Sequence, residues 1–221
     1  MPSIPKQRRI IDRAALVGEI DQLFAGESSP QQVRGAFLDL LKAAMEHGRT
    51  EVRRRFDAGE ANGEEVAAAL SFLADQIIRL IYDFATDQVY PAANPTEGER
   101  LCVAAVGGYG RGELAPYSDI DLLFILPYKE TARQEQVIEY ILYMLWDLKL
   151  KVGQATRSID ECIRLARSDL TIRTAMLESR YLWGDRKIYN EMRRRFYAEV
   201  ADSSGPEFVE EKLAERDARH E

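Results

Sequence analysis

Val106-Gly-Gly-Tyr-Gly-Arg-Gly-Glu-Leu-Ala-Pro-Tyr-Ser-Asp-Ile-Asp-Leu-Leu-Phe-Ile125 opens on two glycines and closes on an apolar run. The residues just before it, 101–106 (LCVAAV), read as a short buried strand. Gly107 and Gly108 lack side chains, so their backbone N–H groups can approach a phosphate closely, and glycine can take φ > 0 to make the turn. Gly110 and Gly112 extend the same loop, and Arg111 is placed to pair with a phosphate oxygen. A turn at 116–118 returns the chain into a second strand, 120–126 (IDLLFIL), closed by Pro127. Asp119 and Asp121 flank its first residue, and positions i and i+2 of a strand share a face. Two carboxylates on one face repel unless a cation sits between them. Hard oxygen ligands beside a phosphate-binding glycine loop make a divalent-metal site of the kind phosphoryl and nucleotidyl transfer require. The spacing of GGYGRG fits neither GxGxxG before a helix nor GxxxxGK[ST].

Upstream, apolar residues recur at helical spacing. The pattern predicts helices over 10–24, 31–56 and 64–89, with Ser28 or Ser29 capping the second and Pro30 in its first turn. Glycines 59 and 63 mark a turn, and 91–98 is a connecting loop. Downstream, 131–148 is helical, 151–159 (KVGQATRSI) is a third strand, and helical patterns return over 160–167, 170–178 and 187–200. The fold class is α+β, in three regions: helical 1–98, a core at 99–168, and helical 169–221. Because the sequence stops in mid-helix without a cap, a longer natural protein is expected.

The 221 residues suffice to bury a core without disulfides. A net charge of −7 disfavours general nucleic-acid binding, which needs clustered Lys and Arg. The basic clusters at 6–9, 53–55 and 193–195 read as solvated helix faces. Cys102 and Cys162 read as core thiols. Only His47 and His220 are present, which disfavours a Cys/His zinc site, a Ser-His-Asp hydrolase and an HD-type phosphohydrolase. No apolar run approaches the roughly 18–20 residues that span a bilayer, and the start, MPSIPKQRRIIDRAAL, has no apolar signal core, which points to the cytoplasm. Tyr140, Tyr143 and Trp146 fall at helical spacing and are expected in the core. Arg157 and Arg164 are within reach of a triphosphate or of surface ion pairs, and Arg173, Glu178 and Arg180 are candidates to line a cleft.

Gly107-Gly108 followed by Asp119-Ile-Asp121 resembles the signature of the DNA polymerase β-like nucleotidyltransferase superfamily. The longer string GGYGRGELAPYSDIDLLFI, with WDLKLKVGQATRSIDEC and SDLTIRTAMLESRYLWGD, resembles the bacterial PII uridylyltransferase/uridylyl-removing family. The resemblance implies a small mixed sheet with helices, flanked by N- and C-terminal helices. It also implies Mg2+-dependent transfer of UMP from UTP to a tyrosine of the PII nitrogen-signalling protein. Gly107 and Gly108 would then hold the triphosphate, Asp119 and Asp121 the Mg2+, with Ser118 a further phosphate contact. The superfamily's usual third acid has no counterpart in strand 151–159; Asp147 and Asp160 flank it. With no HD segment and no room for ligand-sensing domains, this chain is expected neither to remove UMP nor to sense glutamine. An adenylyltransferase-type or small-molecule nucleotidyltransferase and a non-catalytic nucleotide-binding module are the alternatives.

Overall fold

A computed structural model of the chain describes residues 4–23, 29–92 and 96–218. Phe24, Ser28, His220 and part of the expected loop at 91–98 lie outside the described residues. Two compact units are present: one of residues 4–23, 29–92, 112–120 and 135–153, the other of 96–111, 121–134 and 154–218.

The first unit is built on α1 (Arg13–Leu23), α2 (Pro30–Asp57), α3 (Gly63–Phe84) and most of α5 (Ala132–Asp147). Ser29 caps α2: its hydroxyl accepts from the Gln32 N–H at 3.3 Å, and the Gln32 side chain accepts the Ser29 N–H at 2.8 Å. Asn62 and Glu65 close the same reciprocal box on α3, so both helices start where their orphan N–H groups find partners. The helix expected over 64–89 is α-helical to Phe84 and finishes as a π-helical turn over Ala85–Val89. Phe37 and Phe84 stack with centroids 3.9 Å apart inside this core. Buried Ser71 is satisfied twice, donating to the Ala67 carbonyl at 2.9 Å and accepting the Leu114 N–H at 3.0 Å.

α5 buries Val137, Ile141 and Leu145, Leu148 is buried just beyond its end, and Asp147 pairs with Arg34 at 2.7 Å. Two aromatic expectations fail here. Tyr143 and Trp146 are 56% and 47% exposed and meet edge to face at 5.5 Å. Helical spacing shows that they share a side of α5, but the aliphatic stripe decides which side is buried. Tyr140 is half-buried, and burial pushes its hydroxyl pKa up to about 12. The cluster at 53–55 also divides. Arg53 and Arg54 are exposed and ion-paired, whereas buried Arg55 donates to the carbonyls of Pro5 and Lys6 and to Glu51.

The second unit carries β1 (Cys102–Ala105), α4 (Gly107–Arg111), all but the first residue of β2 (Ile120–Leu126), all but the first two residues of β3 (Val152–Ser158), α6 (Ile159–Ser168), α7 (Leu170–Leu177), β4 (Arg180–Gly184), α8 (Arg186–Phe196) and α9 (Asp202–Ala218). The sheet order is β3-β2-β1-β4. β1 runs antiparallel to both neighbours, with Ala105 opposite Leu122 on one side and Arg180 on the other. The Ile120 N–H bonds the Lys151 carbonyl at 2.8 Å where β2 and β3 both begin, which sets those two strands parallel and makes the sheet mixed. Cys102, Ala104, Leu123 and Ile125 pack against Ile159, Cys162, Ile163 and Ala166 of α6 and Met192 and Phe196 of α8. The α+β architecture and the first three strands agree with the sequence reading. The fourth strand, β4, has no counterpart in the sequence pattern. Among the described residues, no helix is long and apolar enough to cross a membrane.

Candidate active site

The site begins where β1 ends. Val106 extends the β1–β2 ladder by donating its N–H to the Asp121 carbonyl at 3.1 Å. Gly107 follows at φ +61°, a left-handed value that side chains disfavour. A Cβ on Gly107 would lie 3.2 Å from Asp121 Oδ2, so this glycine brings bare backbone against a carboxylate. Asp121 itself is half-buried at the head of an otherwise fully buried strand.

The expected glycine loop is in fact a helical turn, α4. The Gly110 N–H bonds the Val106 carbonyl at 2.9 Å and closes that turn. Two features hold it. Tyr109, in the middle of the glycines, is 1% exposed and anchors the turn in the core. Gly110 packs so closely that a Cβ would stand 2.3 Å from the Glu178 carbonyl oxygen. Gly110 therefore serves packing rather than phosphate approach, a role that spacing alone does not reveal.

Arg111 is half-exposed and pairs with Glu178 at 2.5 Å. Arg180 donates from Nε to the Gly110 carbonyl at 3.2 Å and from Nη2 to the Tyr109 carbonyl at 3.1 Å. Of the three residues expected at a cleft, Glu178 and Arg180 thus stand at α4. Arg173 does not. It is buried and donates to the carbonyls of Ala166 and Arg167, closing the end of α6.

Ser118 and Asp119 belong to the segment just before β2, with the Ser118 N–H bonded to the Ala115 carbonyl at 3.1 Å. β2 begins at Ile120, so Asp119 precedes the strand on which it was expected. The acids that flank β3 are both ion-paired: Asp147 with Arg34, and Asp160 with Arg195 at 2.6 Å. β3, the neighbour of β2, carries no carboxylate. Among the described residues, no group of three His, Cys, Asp or Glu side chains is placed to hold a metal unaided. A divalent cation held here would take hard carboxylate oxygens, with Asp121 beside Gly107 the carboxylate best placed to offer them. The donor atoms are all hard, and the missing Gly107 side chain leaves room beside Asp121.

Cys102 and Cys162 are buried free thiols, as their apolar segments predict. Burial raises the thiol pKa of Cys102 well above its ordinary value and pushes that of Cys162 up to about 12. His47 makes a 3.0 Å hydrogen bond with the Arg9 carbonyl, a structural contact.

Residues 96–182 match a family model described as a nucleotidyltransferase domain. Over its whole length the chain is 57% identical to a bifunctional uridylyltransferase/uridylyl-removing enzyme of Rhodospirillum rubrum. Identity is 53% over 99% of the chain to the protein of the same name from Azospirillum brasilense. It is 49% over the whole chain to that from Erythrobacter litoralis. The chain spans about a quarter of the length of these curated relatives: 24%, 23% and 24% respectively.

Proposed function

The chain belongs to the family of bifunctional uridylyltransferase/uridylyl-removing enzymes and carries a nucleotidyltransferase domain, and from that premise we propose that it transfers UMP from UTP to a tyrosine hydroxyl of the PII nitrogen-signalling protein. The observation that carries the reading is the Asp121 carboxylate set against the side-chain-free backbone of Gly107.

Gly107 and Gly108 accept the triphosphate against their backbone, and Arg111 and Ser118 add phosphate contacts. Asp119 and Asp121 supply carboxylate oxygens to Mg2+. When bound, that ion neutralises charge on the α-phosphate and lowers the pKa of the attacking hydroxyl. The acceptor's phenol oxygen forms a bond to the α-phosphorus. The bond from that phosphorus to the bridging oxygen breaks, pyrophosphate leaves, and the phenolic proton passes to solvent. Tyr109 and Gly110 keep the turn seated, so the phosphate-facing backbone is ordered before the nucleotide arrives. Nucleic acid and membrane are not partners in this reading, and the chain works in the cytoplasm.

Calorimetric titration with UTP, CTP, ATP and GTP, with and without Mg2+, tests the reading, followed by transfer of labelled UMP to PII. The expected result is Mg2+-dependent selectivity for UTP that Asp121→Asn abolishes. ATP preference would redirect the reading to an adenylyltransferase. Binding without transfer would favour a nucleotide-binding module, which the absence of a carboxylate on β3 also favours.

A further inference from the structure

We propose that Arg180 is a positioning residue for the nucleotide: it holds the turn Gly107–Arg111 in the conformation that meets the triphosphate. The inference rests on the nucleotidyl-transfer reading above.

α4 is only five residues long. Five residues make one helical turn, and such a short helix does not hold itself, because nucleation costs more than one turn's hydrogen bonds return. Its last carbonyls have no partners within the helix. Arg180 supplies them. It is the first residue of β4 and lies opposite Ala105, the last residue of β1, where the chain departs for the glycine turn. From there its guanidinium reaches the Tyr109 and Gly110 carbonyls together, at 3.1 and 3.2 Å. It also lies over the Tyr109 ring at 5.4 Å from the centroid.

The planar fork suits this task. Two of its donors reach consecutive carbonyls while its face rests on an aromatic ring, a combination that lysine cannot reproduce. The neighbouring Glu178 adds a second clamp. Its carbonyl packs against Gly110 and its carboxylate holds Arg111. The edge of the sheet at β4 thus grips the turn along Tyr109, Gly110 and Arg111. A turn ordered in advance spends less of the nucleotide's binding free energy on its own ordering. Arg180 is bonded to the turn's carbonyls, so its loss should weaken binding and leave the chemical step nearly intact.

The test compares the full chain with Arg180→Gln and Arg180→Lys. UTP affinity, KM and kcat are measured together with amide hydrogen exchange. The KM for UTP is expected to rise about tenfold in Arg180→Gln, with kcat within about threefold, as expected when charge-assisted hydrogen bonds are lost away from the reacting atoms. Arg180→Lys should fall between. Exchange at the Gly110 amide, which reports its bond to Val106, should quicken in both variants while β1 amides keep their protection. If Arg180→Gln does not fold, Arg180→Lys and its exchange at Gly110 decide the matter.

An unchanged KM with unchanged exchange overturns the inference. A fall in kcat at constant KM also overturns it, because it would place Arg180 in the chemical step. Failure of the unsubstituted chain to bind UTP overturns the nucleotide reading and this inference with it. UTP binding of equal strength by the unsubstituted chain and Arg180→Gln overturns the inference alone.

Discussion

At Gly107 two constraints coincide, a left-handed φ of +61° and a carboxylate oxygen 3.2 Å from where a Cβ would be. Gly107→Ala therefore meets strain of about 1–2 kcal/mol from the backbone alone. It also places a methyl group beside Asp121. Weaker UTP binding with a modest loss of stability is expected, and calorimetry with a urea melt measures both. An unchanged affinity would count against the role given to this turn. Glu51 offers a test in the other unit. Arg54 and Arg55 hold its carboxyl down to about 2, against an ordinary 4.5. A depressed folded pKa stabilises fully above about 4.5, and the contribution is lost as the pH falls through about 2. Glu51→Gln should cost on the order of 1–2 kcal/mol at pH 7 after allowance for solvent screening. Its melting temperature should approach that of the unsubstituted chain near pH 2. A gap that persists there would mean that packing, not charge, sets the loss. The buried partner Arg55 was expected on a solvated face. Basic residues in sequence declare charge, not the backbone carbonyls of Pro5 and Lys6 that draw one of them inward.

The elements differ in how far sequence discloses them, and burial explains the difference. β2 is legible with its observed bounds because all but one of its seven residues are buried, so an apolar run broken only by Asp121 lies between turn residues. β4 is illegible in the sequence because four of its five residues are only half-buried, and RYLWG carries no alternation and too short an apolar run. What makes it a strand is pairing with β1, a non-local fact. The glycine turn reads as a loop in sequence because glycine disfavours helix, yet Tyr109 burial and the Arg180 contacts impose one turn. Helix starts were more readable. Ser29 was one of two candidates for the cap on α2, and the same chemistry recurs on α6, where Ser158 and Glu161 cap each other at 2.9 and 3.2 Å. Ser158→Ala should cost about 1 kcal/mol, the usual loss for a removed N-cap. A urea melt reads this directly, and a change below the precision of the melt would show that α6 relies on packing alone.

On the scale of the whole molecule, the segment 106–126 carries the reaction class, in line with the nucleotidyltransferase-domain match over 96–182, while the fold class also rests on the helical patterns that flank it. The complete ligand set was not readable, because β3 contributes no carboxylate and the flanking Asp147 and Asp160 are tied to arginines. The net charge of −7 bears on partners. Duplex DNA should not be retained at about 0.15 M salt, since binding there depends on many phosphate neutralisations. Nucleotide binding should instead appear as stability. A ligand that binds only the folded chain stabilises it by about 2.7 kcal/mol at a hundredfold excess over Kd. For a chain of this size that corresponds to a rise of about 5–10 °C in melting temperature. UTP with Mg2+ should produce that rise. UTP without Mg2+ should produce less, because the Asp121 carboxylate and the phosphate oxygens carry like charge. Asp121→Asn removes both the repulsion and the metal ligand, so its melting temperature should respond weakly to UTP and equally with or without Mg2+. A Mg2+-dependent rise that survives in Asp121→Asn would show that the ion is held elsewhere.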